Sequence, residues 1–244
     1  MYRLSAADFA DTGQWRLLIN IRYTGLDAYL ENTVHPEVDR QQLCQVSWDF
    51  DRDKLTQNIE DAVYGQPRLL DDFATKIILF DPRTLFIPTA IAEKSEESEE
   101  TLYQKVYTAE ATDIMWDEDK DITAAWSLAP GIKSFLMRTF PGARITCNLL
   151  EKIRSIRKRP DQGTLLFIEA RDGETDLILL HNQNLISAST HEWSHPDDIA
   201  YLAVNLLNIY DLKLDETSLE IRGISTDSEA WKSILKKHNE NYKR

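Results

Sequence analysis

The residues whose types and spacing are best suited to chemistry are His191, Glu192 and His195, which spell H-E-x-x-H. On a single helix this spacing directs two imidazoles at one Zn²⁺ ion and places the glutamate beside the metal-bound water. Pro196 follows the second histidine directly, and the residue before a proline is pushed out of the helical region. We therefore expect His191 to end a strand and His195 to precede a helix, and we predict no metal site at this motif.

A second candidate is the basic segment 152–159, which contains five lysine or arginine residues and ends before Pro160. Cations near the C-terminus of a helix interact favourably with the helix dipole, so this segment fits the solvated last turns of a helix. The same charges would also fit an anion-binding patch. Both interpretations are open at the level of sequence.

The composition excludes several classes of protein. With 244 residues, 42% of them hydrophobic, the chain is long enough to bury a substantial core. The formal charge of −13 opposes binding to nucleic acid and to anionic lipid surfaces, so we expect no nucleic-acid partner. No apolar run approaches the ~18 residues of a membrane span. The acidic start does not resemble a signal peptide, and only two cysteines occur, so we expect a cytoplasmic protein.

The elements that position any site follow one order in the second half of the chain. Residues rich in β-formers are separated by turn residues such as Asp-Gly, which indicates a hairpin. An amphipathic helix and a further strand and helix follow, giving the order βββαβα. The predicted strands are 164–170, 176–181, 185–189 and 218–224, with helices after residue 195 and after residue 225.

The first half of the chain repeats this order without repeating its letters. Predicted strands cover 17–23, 26–32, the region of 44–48 and 77–80, with a helix from 55 to Gly65. Between the two copies, 122–128 and 143–147 predict strands, and 132–139 and 149–158 predict helices. We therefore expect an α/β protein with mixed sheets in two lobes. The predicted domains are 1–160, with an inserted segment at about 93–160, and 161–244.

Three stretches of sequence carry a resemblance to a known family. They are Phe86-Ile87-Pro88, the run SFLMRTFPGARIT at 134–146, and HPDDIAYLAVNLL at 195–207 followed by LEIRGIS at 219–225. With the duplicated order, the chain resembles a family of bacterial proteins of unknown function assigned to the actin-like ATPase fold. This ribonuclease H-like fold has two βββαβα lobes, and the resemblance leads us to expect an abbreviated second lobe. Active members of that superfamily hold nucleotide phosphates between two hairpins, one from each lobe.

The resemblance implies candidate nucleotide-binding positions in the first lobe at Asn20, Arg22, Thr24 and Gly25. Active members have an acidic residue at the end of the first strand, where this chain has Asn20. They have glycine where this chain has Arg22, because a glycine turn lets backbone N–H groups approach phosphate.

In the second lobe the implied positions are Glu169, Arg171, Thr175 and Gly223. Glu169 and Thr175 keep a carboxylate and a hydroxyl at the expected spacing, whereas Arg171 again replaces glycine. The nucleoside-binding loop, which usually has consecutive glycines, has the single glycine Gly223.

These departures predict that ATP hydrolysis is lost and that no catalytic residues are present. We expect a non-catalytic actin-like protein that acts through a protein partner or a homo-oligomer, without a resident cofactor. The alternative is a weak nucleotide-binding protein or ATPase with an altered phosphate site, in which the two arginines supply positive charge and Mg-ATP is the ligand.

Overall fold

The computed structural model describes residues 12–35, 37–107, 113–160, 163–171, 173–223 and 228–242. The chain divides into two compact units, Met1–Glu151 and Lys152–Arg244. The division falls within a helix, α5, which covers Asn148–Arg157. The domain limits expected from the sequence stay a prediction.

The first unit is built on a five-stranded mixed sheet in the order β3-β2-β1-β4-β8, with a three-stranded sheet in the order β5-β7-β6. In β1, every second residue from Trp15 to Ile21 is buried, because one face of the strand packs on the core. The elements are β1 Trp15–Arg22, β2 Gly25–Asn32, β3 Gln41–Ser47, α1 Leu55–Tyr64, β4 Thr75–Phe80, β5 Thr84–Pro88, α2 Thr89–Ala92, α3 Glu99–Val106, β6 Asp113–Asp119, β7 Ile122–Leu128, α4 Ile132–Thr139 and β8 Arg144–Cys147.

The second unit has a four-stranded sheet in the order β11-β10-β9-β12, which matches β3-β2-β1-β4 of the first unit. Its core joins one face of this sheet to two helices, with Leu166, Ile168 and Leu177 packed in one cluster with Ala203 and Trp231. The elements are β9 Thr164–Arg171, β10 Glu174–His181, β11 Asn184–Glu192, α6 Pro196–Ile209, β12 Thr217–Arg222 and α7 Ser228–Tyr242.

The predicted βββαβα order is confirmed in the second unit, and the βββαβ order in the first. The sequence did not predict β5, β6 or α2, and for the acidic stretch 93–100, in which α3 begins, it left a loop and a helix start open. Strand β6 reads DIMWDED, and its acidic residues hide the alternation that marks a half-buried strand. Within the described residues, no helix has the length and apolarity needed to cross a bilayer.

Candidate functional site

The H-E-x-x-H residues lie in two different elements. His191 is on β11, where its Nε2 is 2.8 Å from Ser189 Oγ, and burial lowers the pKa of its imidazole. His195 has extended dihedral angles (φ −134°, ψ 146°) and is the N-cap of α6. The two imidazoles therefore do not share a helix face, as Pro196 predicted. In the described part of the chain, no group of three or more histidine, cysteine or acidic side chains is placed to hold a metal.

The candidate residues of the first hairpin surround a buried aspartate, Asp27 on β2, which is 5% exposed. Arg22 binds this carboxylate with both terminal nitrogens, including a 3.0 Å bond from Nη1 to Oδ2. Asn20, opposite Asp27 in the ladder, donates its side-chain amide to the same oxygen at 3.4 Å. The charge of Arg22 is therefore engaged inside its own hairpin by a bidentate pair, the strongest geometry for this interaction.

The second hairpin is organised around Asp176 on β10, which is 1% exposed. Its Oδ1 accepts hydrogen bonds from Arg171 Nη2 at 3.0 Å and from Thr190 Oγ1 at 2.7 Å. Its Oδ2 accepts a hydrogen bond from Lys152 Nζ. Lys152 also pairs with the candidate carboxylate Glu169. Both Arg171 and Glu169 thus have partners of opposite charge within this unit.

The two hairpins place these groups at equivalent register positions. Asp27 lies opposite Asn20 in one ladder, and Asp176 lies opposite Glu169 in the other. In each hairpin the first strand ends with an arginine, two residues after Asn20 or Glu169. This arginine binds the aspartate that follows it by five residues. The arginine and aspartate are diagonal neighbours on one face of each sheet, within reach of long side chains.

The candidate residues Gly25 and Gly223 are both explained by close contacts with a neighbouring backbone. A Cβ on Gly25 would lie 2.6 Å from the carbonyl oxygen of Val46 on the neighbouring strand. Gly223 has φ +82°, and a Cβ there would lie 1.9 Å from the carbonyl oxygen of Ala170. Both positions exclude a side chain because another backbone passes too close.

The two threonines differ in position. Thr24 is exposed in the turn of the first hairpin. Thr175 is fully buried, and the described residues offer no hydrogen-bond partner to its hydroxyl. Adjacent strand residues point to opposite faces, so Thr175 faces away from Asp176. The structure therefore does not bring Thr175 together with Glu169 and Arg171.

A small cavity lies beside Arg22, at the carboxyl ends of β1 and β4, with a volume of about 30 Å³. It is lined on the sheet side by Ile21, Arg22, Phe80 and Asp81. A volume of this size holds about two water molecules, whereas small-molecule sites span roughly 300–1,000 Å³. The cavity therefore does not accommodate a nucleotide.

Sequence reasoning missed two residues of this arrangement, Asp27 and Asp176, and considered Lys152 only as part of a basic segment. Its basic segment contains Lys152 and also Arg159, which binds Glu220. Neither of these two cations is a free anion-binding charge. A usable signal for the aspartates was present, because an arginine precedes an aspartate by five residues at the turn of both predicted hairpins.

The chain is similar to the crystal structure of a Bacteroides thetaiotaomicron protein with an actin-like ATPase fold and unknown function. It shares 20% identity over 95% of this chain and 90% of that one, with a TM-score of 0.78. A ROK family protein from Streptococcus pneumoniae in complex with sucrose shares 10% identity over 93% and 86% of the two chains (TM-score 0.46). The PilM-PilN type IV pilus biogenesis complex shares 12% identity over 93% and 71% (TM-score 0.38).

The first of these similarities confirms the actin-like ATPase fold. No curated protein matches the chain. A family model described as "protein of unknown function (DUF3822)" matches residues 5–242, so the chain belongs to that family.

Proposed function

We propose that this protein acts by binding a protein partner and does not hydrolyse nucleotides. The observation that carries the proposal is the pair of internal salt bridges, Arg22 with Asp27 and Arg171 with Asp176. They lie at the two hairpin positions where active members of the fold use glycine to approach phosphate.

A phosphate at either hairpin would have to compete with a carboxylate that is already in place. Asp27 and Asp176 are almost completely buried, so releasing Arg22 would leave the Asp27 charge without its cation and releasing Arg171 would leave Asp176 with Lys152 alone, each in a poorly solvated site. Without that release, the arginine side chain blocks the close approach to backbone N–H groups that phosphate binding requires.

Magnesium binding has little support at the same positions. Mg²⁺ in nucleotide sites is held by one or two carboxylates together with phosphate oxygens and water. The first hairpin offers Asn20, a neutral amide, and the carboxylate of Glu169 in the second is paired with Lys152. The alternative function, weak nucleotide binding, would need these pairs to rearrange.

Thermal unfolding with and without Mg-ATP, Mg-ADP and EDTA tests the proposal. A ligand at a hundredfold excess over its Kd would stabilise the folded protein by about 2.7 kcal/mol. We expect no shift in the midpoint with either nucleotide and none with EDTA. A nucleotide-dependent rise that is lost in both Arg22→Ala and Arg171→Ala would contradict the proposal and support the alternative.

The partner-binding half of the proposal has its own test. Light scattering of the purified chain, followed by affinity capture and reconstitution with the captured protein, should give a complex of defined stoichiometry. A protein that stays monomeric and forms no reconstituted complex would count against this function, even with no response to nucleotide.

A further inference from the structure

Strand β3 forms one edge of the five-stranded sheet, because it pairs with β2 and is last in the strand order. Its sequence, QQLCQVS, contains no charged residue and no proline. Proteins commonly protect exposed strand edges with such residues, since unpaired backbone groups recruit other strands. The edge of β3 lacks this protection.

The free backbone groups of β3 can be assigned from its register. Trp48 N donates to Thr24 O at 3.0 Å, and Val46 lies opposite Leu26. Bonded and non-bonded pairs alternate in an antiparallel ladder, so Val46 directs its N–H and C=O groups towards β2. Ser47 and Gln45 therefore direct theirs away from the sheet. Among the described residues, neither backbone amide has a hydrogen-bond partner.

A groove of about 270 Å³ runs between the end of β3 and the outer side of α1. Val46, Ser47 and Trp48 line it on the strand side, and Asn58 and Asp61 line it on the helix side. The side chains of Cys44 and Val46 are only half-buried at this edge. A strand added beside β3 would cover them and direct alternate side chains into the groove.

The groove residue Trp48 adjoins two exposed aromatic residues, because its indole donates to Tyr23 O and Phe50 lies two residues further along the chain. Phe50 is 61% exposed and Tyr23 47% exposed, and their rings meet edge to face with centroids 5.7 Å apart. Exposed aromatic rings attract lysine and arginine side chains. Residues 45–66 contain more acidic than basic residues, namely Asp49, Asp51, Asp53, Glu60 and Asp61 against Arg52 and Lys54.

We infer that the edge of β3 and the adjoining groove bind an extended, lysine- or arginine-rich segment of a partner protein, which pairs with β3 as an additional strand. The backbone of Ser47 and Gln45 provides the pairing, and Asp61 and the aromatic rings select basic side chains. A second copy of this chain is the less suitable occupant, because its β3 edge would bring a second acidic 49–61 segment close to the first. The inference rests on the proposed partner-binding function and adds the chemistry of the partner.

The test uses the full chain and a fluorescein-labelled peptide of seven alternating lysine and valine residues, with binding followed by fluorescence anisotropy. Two control peptides separate charge from pairing. One has glutamate in place of lysine, and the other has N-methylated valines, which keep the charge and remove backbone donors. We expect binding of the first peptide and weak or no binding of both controls.

Variants of the protein locate the site. Ser47→Pro removes an outward N–H without touching the β2 ladder, and we expect it to weaken binding about tenfold. Ala188→Pro is the matched control, because the register of β11 also directs the Ala188 amide outward. Asp61→Asn should weaken binding several-fold, whereas Asp215→Asn, the same charge change at an exposed residue of the other unit, should not. If Ser47→Pro does not fold, Asp61→Asn and the N-methylated peptide still test whether the peptide binds at the groove through backbone pairing.

Equal binding by wild type and Ser47→Pro, or equal binding of the N-methylated peptide, would overturn the inference. So would a wild-type dimer that Ser47→Pro converts to a monomer, because the occupant would then be a second copy. These outcomes are separate from those of the nucleotide test. A nucleotide-dependent stabilisation with peptide binding intact contradicts the proposed function, and loss of peptide specificity without such stabilisation contradicts only the β3 site.

Discussion

Trp48 and Trp193 occupy the same position in the two units, and each fixes the turn of the hairpin beside it. Each tryptophan directly follows the third strand, β3 or β11. The indole Nε1 of Trp48 donates to Tyr23 O at 2.8 Å, and that of Trp193 donates to Arg171 O and Glu174 O, both at 2.9 Å. The turns that would approach a phosphate are thus held by a side chain in both units.

Replacing Trp193 by phenylalanine should destabilise the protein more than replacing Trp48 by phenylalanine. Trp193→Phe leaves two carbonyl groups without this donor, and Trp193 also packs against the core of its unit. We expect it to lower the free energy of unfolding by about 1–3 kcal/mol and Trp48→Phe, with one hydrogen bond, to lower it less. Urea unfolding followed by circular dichroism measures both. A larger loss in Trp48→Phe would contradict the ranking.

Asp176 should be the more important of the two buried aspartates. Asp176→Ala leaves Arg171 and Lys152 without a common acceptor in a buried site, which should cost about 3–5 kcal/mol of unfolding free energy. Asp27→Ala should cost less, because the side chain of its partner Arg22 is 37% exposed and can be solvated. Asp176→Asn keeps the shape and separates the loss of charge from the loss of volume. Similar losses in the two alanine variants would contradict this account of burial.

Glycine at position 223 should be required by close contact as well as by its dihedral angle. Gly223→Ala combines a positive φ with a Cβ 1.9 Å from Ala170 O. Gly142→Ala is the matched control, with φ +76° and no atom within 4 Å of the added Cβ. We expect about 1–3 kcal/mol from the backbone angle in the control and a larger loss in Gly223→Ala. Equal losses, measured by chemical denaturation, would remove the steric part of the explanation.

Asp198 should stabilise the start of α6 in a pH-dependent way. Hydrogen bonds from the backbone N–H of Ser194, and then from that of His195, lower the pKa of this carboxyl below its ordinary value of 3.8. Its stabilising effect is therefore fully present above the ordinary pKa and is lost as the pH falls through the lowered one. Asp198→Asn should be less stable than wild type near neutral pH, and the difference should shrink in acid. A difference that does not change with pH would contradict the role of the charge.

The two cysteines should react at different rates. Cys44 on β3 is half-buried, and burial raises the pKa of its thiol, which reduces the reactive thiolate at neutral pH. Cys147 is 0% exposed. With a chromogenic disulfide reagent we expect slow reaction of Cys44 in the folded protein and reaction of Cys147 only after unfolding. Cys44→Ser should abolish the slow phase, and a phase that persists in this variant would contradict the assignment.

The sequence by itself determined the features that depend on neighbouring residues. The position of His195 ahead of α6 follows from Pro196, whose ring restricts the residue before it. The repeated strand order follows from turn residues and from alternation in strands such as β1, because one face of each is buried. Strand β6 was not predicted because its acidic residues hide this alternation. Its pairing with β7, and not its composition, makes it a strand.

Only the tertiary structure decided what the candidate site does with its charges. The sequence places Arg22 and Arg171 at phosphate positions, but whether they are free depends on the strand register, which puts Asp27 and Asp176 within reach. Lys152 reaches Asp176 from a helix that is 24 residues earlier in the chain. Such pairing depends on how strands and helices pack in three dimensions, because a charge seen in the sequence carries no information about which distant group neutralises it.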